Sequence, residues 1–295
     1  MTAATELRAK QDQGRKAAQT REKWASVRTY ISAAVILFWC LAPAYWMVVT
    51  AFRDVGYTYD TSILPTHVTL DNFRTAFDTS FGNHFAQALL NSVFIGVTVT
   101  LISLVLGVFA AYALARLNFR FKYLVLGFIL GASMFPGVAL ITPLFQLFTN
   151  IGWIGTYQAL IIPNISFVLP LTVYTMTSFF REMPWELEEA ARVDGCTQGQ
   201  AFRRVIMPLA APAIFTTAIL AFISSWNEFL IASQLSNDKT QPVTVAIANF
   251  AGAQPQQIPY TAIMAAGTIV TIPLVILVLV FQRKIVAGLT AGAVK

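Results

Sequence analysis

The chain has 295 residues, of which 56% are hydrophobic and only 12% charged. Soluble domains carry roughly 25% charged residues, and a mean hydropathy of +0.63 leaves too little polar surface to cover a soluble globule. An ordinary soluble enzyme, a disordered chain and a small disulfide scaffold are excluded, which leaves an all-α, polytopic membrane protein.

Residues 1–29 form a basic segment that reads either as a mobile tail or as an amphipathic surface helix. A spanning helix needs about 20 apolar residues, so the spans lie in the stretches free of Asp, Glu, Lys and Arg. The first is 30–52. It follows a long polar segment and has no small-x-small site after it, so it is not expected to be a cleavable signal. The second is 85–115. Tyr123–Phe180 holds 58 uncharged residues. At about 1.5 Å per residue it far exceeds a bilayer of about 30 Å, so it must reverse once. The turn-like break is Asn150-Ile-Gly-Trp-Ile-Gly155, which divides it into spans at 123–148 and 156–180. The fifth span is 208–235 and the sixth 261–281. Residues 283–295 form a C-terminal tail after a six-helix unit of 30–282.

Charge sets the orientation. With the N-terminus inside, 17 of the 20 Lys and Arg fall on inside segments. The outside segments hold Arg53, Arg74 and Lys239. The positive-inside rule therefore predicts both termini in the cytoplasm. The net charge of +6 is an orientation signal, because a nucleic-acid surface would gather its charges on one face. Cys40 and Cys196 fall on opposite sides and predict no bridge.

The inside loop 181–207 is long enough to fold. Pro184-Trp-Glu-Leu-Glu-Glu-Ala-Ala-Arg-Val-Asp-Gly195 predicts a short helix with Pro184 at its first position. Its acids sit near the positive end of the dipole, and Gly195 follows its end. Thr197-Gln-Gly-Gln200 predicts a capping box for a second helix running to Met207. Ala190 and Ala191 make a face small enough for another protein to approach. On the residues alone, a solvated amphipathic loop is the alternative reading.

Glu189-Ala-Ala-x-x-x-Gly195, followed by Val205-x-Met207-Pro208, resembles the EAA motif of binding-protein-dependent ABC importer permeases, with Val205 and Met207 replacing the usual Ile and Leu. The sequences Pro43–Arg53, Asn91-Ser92, Ala110–Arg116 and Ser225-Trp-Asn-Glu-Phe229 look like its sugar-permease subfamily, MalG-type. The resemblance implies the type I importer permease fold and import of a sugar, a disaccharide such as trehalose, by alternating access. It implies a second, different permease, two ATPase subunits and an extracytoplasmic sugar-binding protein as partners. Glu189, Ala190, Ala191, Asp194 and Gly195 would then dock a coupling helix into the ATPase, which would bind the ATP and Mg.

This chain has no Gly-x4-Gly-Lys-[Ser/Thr], HExxH or Gly-x-Ser-x-Gly sequence, so neither ATP hydrolysis nor covalent catalysis is expected of it, and no cofactor or metal. A membrane-embedded enzyme would need clustered His, Asp or Glu, and none is found. An ion-coupled secondary transporter is the alternative function, but intramembrane ionisable groups are scarce. The exception is Glu228, near the outer end of the fifth span. Thr217, Ala221, Ser224 and Glu228 share a helical face with Asn227 beside them. With Trp226 they predict a polar, aromatic lining for the sugar's passage, or else a carboxylate that reaches the headgroups or a neighbouring subunit. Gly127-x-x-x-Gly131 predicts close helix packing, and Pro136, Pro143, Pro163, Pro170 and Pro273 are candidate kinks. The outer loop with Pro242 and Pro255 resembles, by position, a segment that reaches into the binding protein.

Overall fold

The computed structural model describes residues 2–80, 82–250 and 259–291, and the side chains of 24–80, 82–250 and 259–282. Pro255 and the end of the C-terminal tail lie outside the described residues. The long helices are α1 (Thr2–Ala51), α3 (Phe85–Arg116), α6 (Tyr157–Glu182), α9 (Met207–Trp226) and α12 (Tyr260–Ala291). Between them lie the shorter α2 (Asp71–Phe77), α4 (Lys122–Ser133), α5 (Gly137–Asn150), α7 (Glu186–Val193), α8 (Gln198–Ala201), α10 (Ala232–Leu235) and α11 (Val243–Ala248). Among the described residues the sole strand-like pairing is the bridge Arg53–Val68.

Five helices are long and apolar enough to cross a membrane, and six spans result if α4 and α5 are one broken span. The basic segment before the first span is not separate from it, since one helix runs unbroken from Thr2 to Ala51.

The third span departs from the expected straight helix at 123–148. It is two helices, α4 and α5, bent by 87°. Pro136 supplies the cause: it donates no hydrogen bond, and its ring drives the preceding Phe135 away from helical geometry. Pro143, Pro163, Pro170 and Pro273 sit inside helices without ending them. The expected reversal at 150–155 is a loop in which Gly152 and Gly155 take φ of 71° and 76°. Gly155 donates to the Leu235 carbonyl at 2.8 Å, and a Cβ there would meet Asn237 at 2.3 Å.

The core is built around α3, which packs on both α6 and α9. Gly107 allows the approach to α6, since a Cβ there would lie 2.5 Å from the Thr172 methyl. Gly96 makes room for the Phe222 ring. The Gly127 and Gly131 pair behaves otherwise: among the described residues nothing beyond the chain neighbours and the adjoining backbone of α4 lies within 4 Å of a Cβ at either position. Close packing inside this chain therefore comes from α3, not from the Gly-x3-Gly pair.

Near α7 the core holds Val108, Ala111, Met176, Phe180 and Ile206. Toward the opposite end it holds Ile95, Val99, Leu160 and Val168. Between spans these side chains stabilise the bundle through van der Waals packing, since lipid is as apolar as the core and burial from it brings no hydrophobic gain. Phe38, Trp39, Leu124 and Phe128 are exposed on their helices, as a lipid-facing surface requires.

Candidate functional site

The loop between α6 and α9 is a helix, a glycine turn and a capped second helix. Helix α7 carries Glu186, Glu188 and Glu189 in its first turn, where they complement the dipole. It starts two residues after Pro184, a shift within the ordinary uncertainty of helix ends. It ends in a Schellman motif: Cys196 N–H donates to Ala191 O and Gly195 N–H to Arg192 O, both at 3.0 Å. Gly195 has φ +86°, the left-handed geometry that this motif places on glycine. Thr197 and Gln200 then form the reciprocal capping box, at 2.9 and 3.3 Å.

The second helix does not end at Met207. It runs into α9 through a π-helical turn at Phe202–Ile206, where Met207 N–H donates to Phe202 O. Pro208 lacks an N–H and would crowd the Arg204 carbonyl in α geometry; the wider turn relieves this. Loop and span are thus one continuous helix over Gln198–Trp226.

Helix α7 has two faces. Glu186, Glu189, Ala190 and Val193 are exposed, at i, i+3, i+4 and i+7. Val193 is 86% exposed. Asp194 and Gly195 are exposed beside them. Ala191 lies differently from the sequence expectation: at 6% exposed it turns into its own chain, because it sits three residues from the buried Glu188. Of the five residues expected to dock, four face outward.

Glu188 is the residue that sequence reasoning missed. It is 4% exposed. The Tyr112 hydroxyl donates to its Oε1 at 2.6 Å, and Arg116 Nε stands 3.8 Å from its Oε2. Arg116 also donates to the Met183 carbonyl at 2.9 Å and lies under the Trp185 ring at 4.9 Å. The Trp185 indole N–H donates to Glu189 at 3.1 Å, so the exposed glutamate is oriented by the same cluster. The available signal was the spacing of Tyr112 and Arg116 at i, i+4, which places both on one face of α3.

The opposite end is fastened by the Asn91-Ser92 pair. Buried Asn91 donates to the carbonyls of Lys239 and Gln241, at 2.9 and 3.0 Å, and accepts from the Tyr157 hydroxyl at 2.8 Å. Ser92 Oγ accepts from Val243 N–H at 2.8 Å. In the loop after α1, buried Arg53 donates to the carbonyls of Asp60 and Ser62 and lies over the Trp46 ring. Hydrogen bonds from the Ser62 hydroxyl and amide hold the Asp60 carboxyl below its ordinary range.

The expected passage residues do not form one stripe. Helix α9 stops at Trp226 and not at Leu235. Asn227 Nδ2 folds back on the Ile223 carbonyl at 2.9 Å, and Glu228 caps the next turn, so local side-chain bonds replace helix continuation. Thr217 and Ala221 are buried while Ser224 and Asn227 are exposed. Trp226 is 2% exposed. It packs among Phe85, Val243 and Ala266 and presents no face for a sugar. Glu228 stands beyond the helix end, its carboxylate on the amides of Ile231 and Ala232. Among the described residues no three His, Cys, Asp or Glu side chains stand together as metal ligands.

The sequence profile of the family described as "binding-protein-dependent transport system inner membrane component" matches residues 103–290. The trehalose transport system permease protein SugB of Mycobacterium tuberculosis is 46% identical over 273 residues, covering 92% of this chain and 97% of that protein. The trehalose/maltose transport system permease protein MalG of Thermococcus litoralis is 40% identical over 267 residues, covering 90% and 95%. Among solved structures, a chain of a bacterial ABC transporter that imports the acidic polysaccharide alginate aligns with a TM-score of 0.71 and 22% identity. That alignment covers 88% of this chain and 95% of the other and shows the shared fold. The outward face of α7, its anchored inner face and the bundle that holds it are therefore parts of a permease subunit: the chain belongs to the family of binding-protein-dependent transport system inner membrane components.

Proposed function

We propose that this chain is one transmembrane subunit of an ATP-driven importer of a disaccharide, trehalose being the leading candidate. It works beside a second, different permease, two ATPase subunits that bind ATP and Mg, and an extracytoplasmic binding protein. The chain itself does no chemistry on the sugar.

The observation that carries this reading is the two-faced helix α7. One face is anchored in the bundle through Glu188; the other presents Glu189, Ala190 and Val193 outward, with Asp194 and Gly195 at the turn. A helix fixed on one side and bare on the other suits docking into a groove of the ATPase. Closure of the ATPase pair would move α7 as a rigid body, and α8 with α9 behind it, because they form one helix. This is the geometry that converts a domain motion into alternating access. The Lys and Arg gathered on the α7 side support placing that end, and both termini, in the cytoplasm. The names of the relatives support the sugar. Ion coupling, the other reading, has no support in the family or its relatives.

The test is uptake by the reconstituted complex across a panel of labelled disaccharides. ATP-dependent accumulation of trehalose above the other sugars is expected. Uptake that follows an ion gradient without ATP would overturn the assignment, and accumulation of a different disaccharide would overturn the choice of sugar.

A further inference from the structure

Helix α7 packs on α8 and on the π-helical turn that follows it, and beyond these it is tied to the bundle by side chains from the last turn of α3. On one side α7 is joined to α6 through Met183, Pro184 and Trp185, on the other to α8 through the glycine turn at Gly195. Links of that kind let a short helix swing about its ends. Across its inner face α7 is held to the last turn of α3 by side chains alone. There the Arg116 and Glu188 side chains are 4% and 5% exposed and face each other at 3.8 Å. Arg116 Nε and Glu188 Oε2 have no hydrogen-bond partner, so what joins those two atoms is charge. The same guanidinium also holds the Met183 carbonyl, and Tyr112 holds the other carboxylate oxygen. Arg116 thus joins the end of α6, the inner face of α7 and the tip of α3.

A buried ion pair is a poor way to gain stability, because desolvation offsets most of the attraction and an apolar pair often does as well. The attraction is stronger at low dielectric than in water, and the hydrogen bonds of Tyr112 to Glu188 and of Arg116 to the Met183 carbonyl give it a direction, so together they set the position of α7 against α3. And α3 is the helix on which both α6 and α9 pack.

We infer that the Arg116–Glu188 pair is a second link, beside the α8–α9 helix, through which displacement of α7 is passed to α3 at the centre of the bundle, and that both are positioning residues for coupling. This deepens the functional reading above and rests on it. Docking of the ATPase on the outward face pulls α7; the pair carries that pull into α3, and α3 moves the helices packed on it. Without the pair, α7 can follow the ATPase and carry α8 and α9 with it while α3, and α6 packed on it, lag behind.

The experiment uses the assembled, reconstituted complex and reads ATP hydrolysed per sugar imported. A purely structural role lowers the amount of complex but leaves that ratio unchanged. Glu188→Gln removes the charge and keeps an acceptor for Tyr112. It is expected to raise the ratio about tenfold, the effect of about 1.4 kcal/mol on the rate of the coupled step. A wild-type ratio overturns the inference. Where Glu188→Gln fails to assemble, Arg116→Gln combined with Glu188→Gln leaves no unpaired buried charge. That double variant is expected to assemble with the raised ratio, and a wild-type ratio there overturns the inference equally. A wild-type complex that imports no sugar with ATP would instead count against the functional reading itself, so the two failures are distinguishable.

Discussion

The carboxylate of Glu228 caps the turn that begins at Ile231: its two oxygens accept the backbone N–H groups of Ile231 and Ala232 at 2.7 and 3.0 Å. The Glu228 carbonyl in turn accepts the Thr244 hydroxyl at 2.8 Å. The residue therefore fastens the end of α9 to both short helices that follow. Replacing Glu228 by Ala leaves two amides without their acceptor. A cap of this kind contributes about 1 kcal/mol, and bonds to a charged acceptor about 1.5–3 kcal/mol. The expected loss is about 2 kcal/mol, read as a lower melting temperature of the purified chain in detergent. Glu228→Gln, which keeps one acceptor oxygen, should lose about half as much. An unchanged melting temperature in Glu228→Ala would mean that the carboxylate serves something other than this turn.

Gly195→Val tests the turn between α7 and α8. Among the described residues, no atom beyond the two chain neighbours lies within 4 Å of a Cβ built there, so the cost comes from the backbone, at φ +86°. Such a position costs a β-branched residue of order 1–3 kcal/mol, and the turn relaxes by changing the angle between the helices. ATP-dependent uptake should be lost while the chain stays in the membrane at normal level. Gly195→Asn, which tolerates this geometry better, should retain a measurable fraction. Uptake at the wild-type rate in Gly195→Val would remove the turn from the mechanism.

Val193 is the most exposed large apolar side chain on α7. A charge at this position faces outward, so Val193→Asp should cost the isolated subunit no more than about 1 kcal/mol of stability, the penalty of an acid at the negative end of a helix. Co-purification of the ATPase subunits should fall at least several-fold. Full retention of the ATPase by the Val193→Asp variant would show that docking uses another face.

The contact of α3 with α6 at Gly107 and Thr172 can be tested by a double-mutant cycle. Gly107→Ala drives a methyl into the Thr172 Cγ2, 2.5 Å away. Overpacking of this kind costs about 1–3 kcal/mol. Thr172→Ser removes the clashing methyl but keeps the hydroxyl that bonds the Val168 carbonyl at 3.0 Å. Adding it to Gly107→Ala should recover much of the loss, giving an interaction energy of about 0.5 kcal/mol or more. Strict additivity of the two changes would place the strain elsewhere.

Much of the loop between α6 and α9 is legible because its signals are local. A helix that begins with acids, closes on glycine and restarts at Thr-x-x-Gln is decided by hydrogen bonds within a few residues, and the Gly195 and Thr197 geometries follow from them. The two faces of α7 were not legible. Glu188 and Glu189 are adjacent and chemically alike, and nothing nearby in the chain tells which one is buried. The position of Arg116 decides it. The stripe expected along the fifth span failed for the same reason in reverse: helical spacing was extended past Trp226, where Asn227 and Glu228 commit their side chains to backbone groups and end the helix.

The sequence by itself determined the class of protein, where the apolar stretches lie, the reversal at Asn150–Gly155 and the build of the loop after the fourth span. These depend on the cost of charge in lipid and on short-range backbone bonding, both of which act where the residue stands. The scarce charges that marked the spans are sorted a second time by tertiary structure. It buried Arg116 against Glu188 and Arg53 against carbonyls of its own loop, and turned Glu189 outward. It also selected Pro136, of five candidate prolines, as the one that breaks a span. A burial partner or a rescue of lost backbone bonds comes from residues distant in the chain, so only the folded bundle decides it.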